Sequence, residues 1–457
     1  MNEDQRISKP FVQRPLLLST AATLFVIAVL IVWAGKRQTA ADKLIQQKLA
    51  ALRASGEPIT DADLAKMFAL PPAEQDALLL FSNAMEFAAV NRPPSGLTPI
   101  TGSAATPARG ERLNEPALGA LRTFYADTAT ITNLMPTVPA GTRFGICWEV
   151  GVQSVPVAPF VKMRSLMQLL CTRALCAAET GDAEGASEML TQGFRFAQAI
   201  PADSTLVEHM IRDACLGLAC STTERCVNQV PFDDRQLARV LEAIPQPDTA
   251  GFPNTLRVEH CLAIEVFTRI KAGERLHDLT SARKLKWWQR AWERLRLGRA
   301  EYSDRDFIAY LDLVPSLQQA LKTPVAQAIP EFTRLFDVYR TNVTSETGHA
   351  VHPSWSKALS KHYEIEAQVA ATKCALAIER FRLTHRGQLP SSTQTLVPEV
   401  LASLPRDLFD DQPLRFKPLT NGWVVYSIGP DGLDSGGLER TNLYTQTNYD
   451  VTFTVER

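Results

Sequence analysis

A chain of 457 residues is longer than one ordinary domain, and 45% apolar residues are enough for a sizeable core. Forty-eight basic residues against forty-nine acidic ones leave a net charge of −1, which excludes the basic footprint of a nucleic-acid binder. Eight cysteines include no Cys-x-x-Cys and no zinc-type Cys/His spacing.

The N-terminus is different in kind. Residues 1–14 form a short tail carrying Arg6, Lys9 and Arg14. From Leu16 to Ala34 no residue is charged, and Lys36 and Arg37 close the run. As a helix it spans roughly 30 Å, the thickness of a bilayer's hydrocarbon core. Thr39-Ala40-Ala41 could pass for a cleavage site, but the apolar run exceeds the 7–15 or so residues of a signal peptide. Segment 15–35 is therefore predicted to be an uncleaved transmembrane anchor in contact with membrane lipid. Basic residues flank both ends, so charge alone does not orient it; a short tail inside and the bulk of the chain outside the cytoplasm, on the inner membrane, is the usual signal-anchor arrangement and the one expected here.

Residues 36–115 read as a helical stalk and a long loop. Thr39–Arg53 continues the anchor helix, Ser55-Gly56-Glu57-Pro58 breaks it, and Thr60 caps a short helix from Asp61 to Leu70. Pro71-Pro72 opens the next, running to Val90. Residues 91–115, rich in Pro, Gly, Thr and Ala, are predicted to be an exposed loop.

A helical body follows over 116–350. Phe160–Glu179, a Gly181-Asp182 turn and Glu184–Ile200 form a helical hairpin. Pro201 then breaks the chain, and Asp203 or Ser204 caps a helix to Val227. Stacked hairpins of this kind make a solenoid-like body conceivable. Asp233 starts another helix, Pro253 precedes one through His260 and Ile270, and further helices are expected near 279–297, 304–322, 327–341 and 353–384. Past Gly387 come short β-type runs at Leu414–Phe416, Trp423–Ile428 and Val451–Val455. The fold class is thus mainly α, with a small α+β module over 351–457.

Several constellations were weighed. Cys171/Cys176 and Cys215/Cys220 share a spacing, so bridges 171–215 and 176–220 are conceivable on parallel helices; thiols in an apolar core are the favoured reading. His349, His352 and His362 form a histidine cluster that could converge on a metal. Val207-Glu208-His209 and Val258-Glu259-His260 repeat a tripeptide, read as exposed or packing residues. Arg283–Arg299 surrounds Trp287, Trp288 and Trp292 with basic residues, either an interfacial helix or, preferably, one packing its tryptophans inward. No phosphate loop, dinucleotide fingerprint, Gly-x-Ser-x-Gly or His-Glu-x-x-His is present.

One module is recognisable. Gly387-Gln388-Leu389-Pro390 follows a long helix. Then come Leu396-Val397-Pro398, Leu404-Pro405-Arg406-Asp407, Asp411-Gln412-Pro413-Leu414-Arg415-Phe416 and the run Tyr426-Ser427 to Gly437. In order and spacing the final 95 or so residues resemble the C-terminal globular domain of the major pseudopilin of type II secretion systems. The whole chain is similar to membrane-anchored bacterial proteins with a helical body and that tail, a class that implies no reaction. The resemblance implies a calcium-binding β-loop, with Asp431 and Asp450 at the family's acidic positions and Asp434 as a further local carboxylate. Calcium's preference for carboxylates and carbonyls on flexible loops suits such a segment. Tyr449 stands where the family has the first of two adjacent acids, and the loop before Asp450 is longer. Residues 10–25 lack the Gly and Glu of a pilin processing site, so assembly as a pilin is not expected.

These readings predict a membrane-anchored interaction or scaffold protein outside the cytoplasm, partnered by envelope or secretion components. The alternative is an envelope hydrolase with its site in the helical body.

Overall fold

The computed structural model describes residues 38–67, 77–136, 144, 157–248, 250–276, 300–351, 355–440 and 447–456. Among these, no helix is long and apolar enough to cross a membrane. The predicted anchor at 15–35, the Trp/Arg-rich stretch 283–299 and His352 lie outside the described residues.

The described chain is mainly helical and ends in a small antiparallel sheet. The principal helices are α1 (38–54), α2 (Asp61–Met67), α3 (Ser82–Val90), α4 (Glu115–Asp127), α5 (Val157–Glu179), α6 (Ala183–Ala199) and α7 (Leu206–Gln229). They continue with α8 (Asp234–Ala243), α9 (Gly251–Lys271), α10 (Asp304–Ala320), α11 (Val325–Asn342) and α12 (Trp355–Thr384).

Local chemistry sets these boundaries. At the α5–α6 turn, Gly181 takes φ 85°, which glycine adopts without a Cβ penalty. Asp182 Oδ1 then caps α6 by accepting the Gly185 N–H at 2.8 Å. The cap of α7 is Thr205 rather than Asp203 or Ser204, in a reciprocal box with Glu208. Helix α9 begins before Pro253, which sits in its first turn, where a missing N–H leaves no hydrogen bond unmade.

Strands β1 (Arg415–Leu419), β2 (Gly422–Ser427) and β3 (Val451–Glu456) pair in that order. Arg415 lies opposite Tyr426, and Ser427 opposite Val451. Gly422 is required at the start of β2, because a Cβ there would lie 1.7 Å from the Val455 carbonyl oxygen.

A solenoid's units meet only their sequence neighbours, and this body is built otherwise. Helix α12 packs on α7, α8, α11 and strands β2 and β3. One apolar cluster joins Leu169 and Phe194 of α5 and α6 to Val369 and Ile378 of α12 and to Trp423 and Phe453 of the sheet. A second joins Phe252, Phe307 and Phe332 to Leu359, Ile428 and Val451. The core therefore crosses residue 351, and the C-terminal module shares its interior with the helical body.

Of the 91–115 stretch, residues 91–114 have no regular structure, yet they are not merely an exposed loop. Thr98 and Thr101 are buried, and Thr172 of α5 donates to Thr101 Oγ1 at 2.8 Å. Arg225 of α7 donates to the carbonyls of Pro107, Ala108 and Glu111 while paired at 2.9 Å with buried Glu179.

Helix α7 also closes the sheet edge. The Asn228 amide donates to the Thr454 carbonyl and accepts from the Glu456 N–H, both at 2.9 Å, much as a further strand would. Glu224 accepts the Thr454 N–H at 3.2 Å. Replacing Asn228 by Ala strands two backbone groups of β3. It should lower unfolding stability in urea by about 1–3 kcal/mol, with little change in helical circular dichroism.

Candidate functional site

The first turns of α7 place His209 and Asp213 four residues apart, hence on one face. That face meets α12 at His362 and Glu366, and Arg212 lies beside them. All five side chains are buried, with His209 at 1%, Asp213 at 4% and His362 at 0% exposure. Sequence proximity pointed His362 toward His349 and His352; its described side-chain hydrogen-bond partners instead come from α7. His209, expected as an exposed or packing residue, is part of a polar network.

The hydrogen bonds fix the protonation states. His209 Nδ1 lies 2.6 Å from the Ala202 carbonyl, so it carries the proton and leaves Nε2 as an acceptor. His362 Nδ1 lies 3.0 Å from that nitrogen and 3.3 Å from Asp213 Oδ2, while its Nε2 faces the Asp248 carbonyl at 3.2 Å. With acceptors at both nitrogens, His362 is the imidazolium. Burial alone would lower its pKa, but the Asp213 carboxylate, with Glu366 behind it, holds it above the ordinary value. Burial pushes His209 down to about 4, against the pull of Asp213. Asp213 is held below the usual carboxylate range, because His362, His209 and Arg212 together outweigh its desolvation.

A second ring supports this centre. Arg212 Nη1 lies 3.4 Å from Glu366 Oε1, and Glu366 Oε2 accepts the Asp248 N–H at 2.8 Å. Phe252 stacks on His362 with centroids 5.7 Å apart and meets His209 edge-on. Glu259 accepts the Leu206 N–H at 2.8 Å, so both glutamates of the repeated Val-Glu-His tripeptides serve the start of α7.

Two concavities adjoin. A cleft of about 310 Å³ is bounded by Ala202, Asp203, Arg212, Asp248 and Asn254, but not by either histidine or Asp213. A larger groove of about 660 Å³ runs between α5, α7 and residues 95–103, lined by Ile100, Met167, Met210, Ile211 and Leu218.

The acids implied by the tail's resemblance lie on the β2–β3 connection. Asp450 Oδ2 accepts the N–H groups of Gly437 (2.6 Å) and Leu438 (3.1 Å), and Oδ1 that of Ser435. Asp434 Oδ1 accepts the Gly436 N–H and the Tyr426 hydroxyl, and Oδ2 lies 3.5 Å from Arg415 Nε. Asp431 Oδ1 accepts the Leu433 N–H, and its Oδ2 is buried with no hydrogen-bond partner among the described residues. Of the three, Asp431 alone has a buried carboxylate oxygen without a hydrogen-bond partner among the described residues. Within the same module Asp407 ties β1 to β2: it accepts from Ser427 Oγ, the Ile428 N–H and Arg415, each at 2.8 Å.

Seven cysteines fall among the described residues, all buried free thiols; the four considered for bridges pack in the core. Compared with family models, curated proteins and solved structures, the chain finds no match.

His260 tests the reading of burial directly. Neither ring nitrogen has a hydrogen-bond partner among the described residues, and burial pushes its pKa down to about 3. Its neighbours include the rings of Tyr310 and Trp355. A depressed folded pKa gives stability that is complete above the unfolded value and is lost as pH falls through the window from about 6.5 to about 3. Between about pH 6.5 and 4.5 the wild type should lose roughly 2 kcal/mol more than His260→Phe. Chemical unfolding at the two pH values measures this; equal losses would mean that His260 is hydrated.

Proposed function

We propose that this chain is a membrane-tethered interaction protein. Segment 15–35 anchors it, the bulk of the chain lies outside the cytoplasm, and the groove between α5 and α7 receives a partner. The observation that carries the reading is that groove. It is open, predominantly apolar and partly lined by methionines, whose unbranched side chains adapt to varied surfaces. Val207 and Met210 on its wall are 51% and 52% exposed, and Val161 nearby on α5 is 53% exposed. Ile100 contributes to the lining from φ 64°, a left-handed conformation that costs a β-branched residue about 1–3 kcal/mol and that typically marks functional segments. The ligand class is an amphipathic helix lying apolar face down, with an acidic flank toward exposed Arg164.

A hydrolase would need its ionisable groups to meet solvent in a concave site. Here the clustered groups with displaced pKa values, His209, Asp213, His362 and Glu366, are enclosed, and the neighbouring cleft reaches Arg212 alone among the five clustered side chains. Enclosure favours binding over catalysis.

A photo-crosslinking residue placed at Met210 in the full-length protein should trap a specific envelope partner. The same residue at Val338, equally exposed on α11, should not, and Leu218→Glu should abolish the Met210 product. Indistinguishable products from both positions would refute the groove.

The pseudopilin-like tail supports a secretion or envelope setting, and the buried, unpartnered Asp431 Oδ2 supports a second reading, calcium binding at the β2–β3 connection. Calcium at a hundredfold excess over its dissociation constant should then stabilise the full chain by roughly 2.7 kcal/mol. The rise in melting temperature should reverse with chelator and vanish in Asp431→Ala. An unchanged melt would leave the connection to the hydrogen bonds of Asp450.

A further inference from the structure

We propose that His209 Nε2, the Asp213 carboxylate and His362 Nδ1 form a binding site for a divalent transition metal of the zinc class, which pins α7 to α12. Among the described residues these three bring one donor atom each within 4.8 Å of the others.

The spacing of the donors carries the inference. His209 Nε2 is 3.0 Å from His362 Nδ1 and 3.5 Å from Asp213 Oδ2, and His362 Nδ1 is 3.3 Å from the same oxygen. A tetrahedral ion bound at 2.0–2.1 Å sets its ligands roughly 3.3 Å apart, so the three atoms already occupy one face of such a tetrahedron. Nothing need move by more than a few tenths of an ångström.

The outer contacts agree independently. A ligating histidine commonly donates its second ring N–H to a carbonyl or carboxylate, which fixes the tautomer and aims the bare nitrogen at the metal. His209 Nδ1 faces the Ala202 carbonyl at 2.6 Å, and His362 Nε2 faces that of Asp248 at 3.2 Å. Both rings are therefore oriented from behind by the main chain, with the other nitrogen turned toward Asp213. Phe252 covers His362, and Arg212, 4.0 Å from Asp213 Oδ1, has its charge answered by Glu366 at 3.4 Å. Two neutral imidazoles and one carboxylate are a donor set suited to zinc. With three protein ligands, the fourth position falls to a small donor such as water.

In the metal-free protein the same atoms satisfy one another as an imidazolium–carboxylate pair. Binding replaces the shared proton by the ion, so the site remains satisfied in both forms.

The test uses the full-length protein in detergent, stripped with chelator and titrated with Zn²⁺ or Co²⁺ alone. The expected result is one ion per chain and a melting midpoint roughly 5 °C higher at a hundredfold excess. Co²⁺ should give the visible bands of a tetrahedral ion without thiolate charge transfer. His209→Gln and Asp213→Asn should each lose those bands. Folded wild type that takes up less than a tenth of an equivalent overturns the proposal, as do bands that persist in both variants or that carry the thiolate signature. Because the wild-type result decides on its own, a variant that fails to fold leaves the test intact.

Discussion

Helix α7 is buried on all but the face of Val207, Met210 and Ala214, and the polar residues it carries into the interior must each find a partner there. Everything around it is arranged by that demand. His209, Arg212 and Asp213 are answered by α12, Arg225 by Glu179 and the 107–111 carbonyls, and Asn228 and Glu224 by β3. Apolar contacts alone would tolerate a sliding or rotated helix. Three polar stations along one axis, each facing a different element, fix its rotation and its height.

This explains why the chain does not divide at residue 351. A module that owned its core would meet the body through a modest, wet interface. Here α12 supplies one wall to both apolar clusters, and the sheet rests on α7 and α12 together. The ionic centre between α7 and α12 sits inside this shared interior. Removing one partner from such a buried pair typically costs 3–5 kcal/mol, because the other charge is left uncompensated. The pair acts less as a source of net stability than as a specification of which helix faces meet.

Much of the architecture was legible in the sequence. The Gly181-Asp182 turn, the Asp233 cap, the long helix before Gly387 and all three strands follow from local signals, and the structure places them within a few residues. What could not be read was long-range. His362 stands near His349 in the sequence, yet its partner is 153 residues away, and no spacing rule reaches that far. The four-residue step from His209 to Asp213 was visible, but only the packing of α12 gives it a third member. The 91–115 segment looked like solvent-exposed chain by composition. Its order comes from Arg225, a residue whose burial depends on helices that composition does not describe.

The pairing of Asn228 with β3 has a consequence for how the protein is made. The two partners are separated by 226 residues at their nearest, so the end of α7 is synthesised long before the strand that it binds. Until then the edge of β2 that pairs with β3 stays open, and the Asn228 amide at the end of α7 lacks its strand partner. Long-range pairings of this sort are slow, and unpaired edges invite association with other chains. The nascent protein therefore passes through a stage in which most of its interior is synthesised but not yet latched. A chain without β3 would stay in that stage for good.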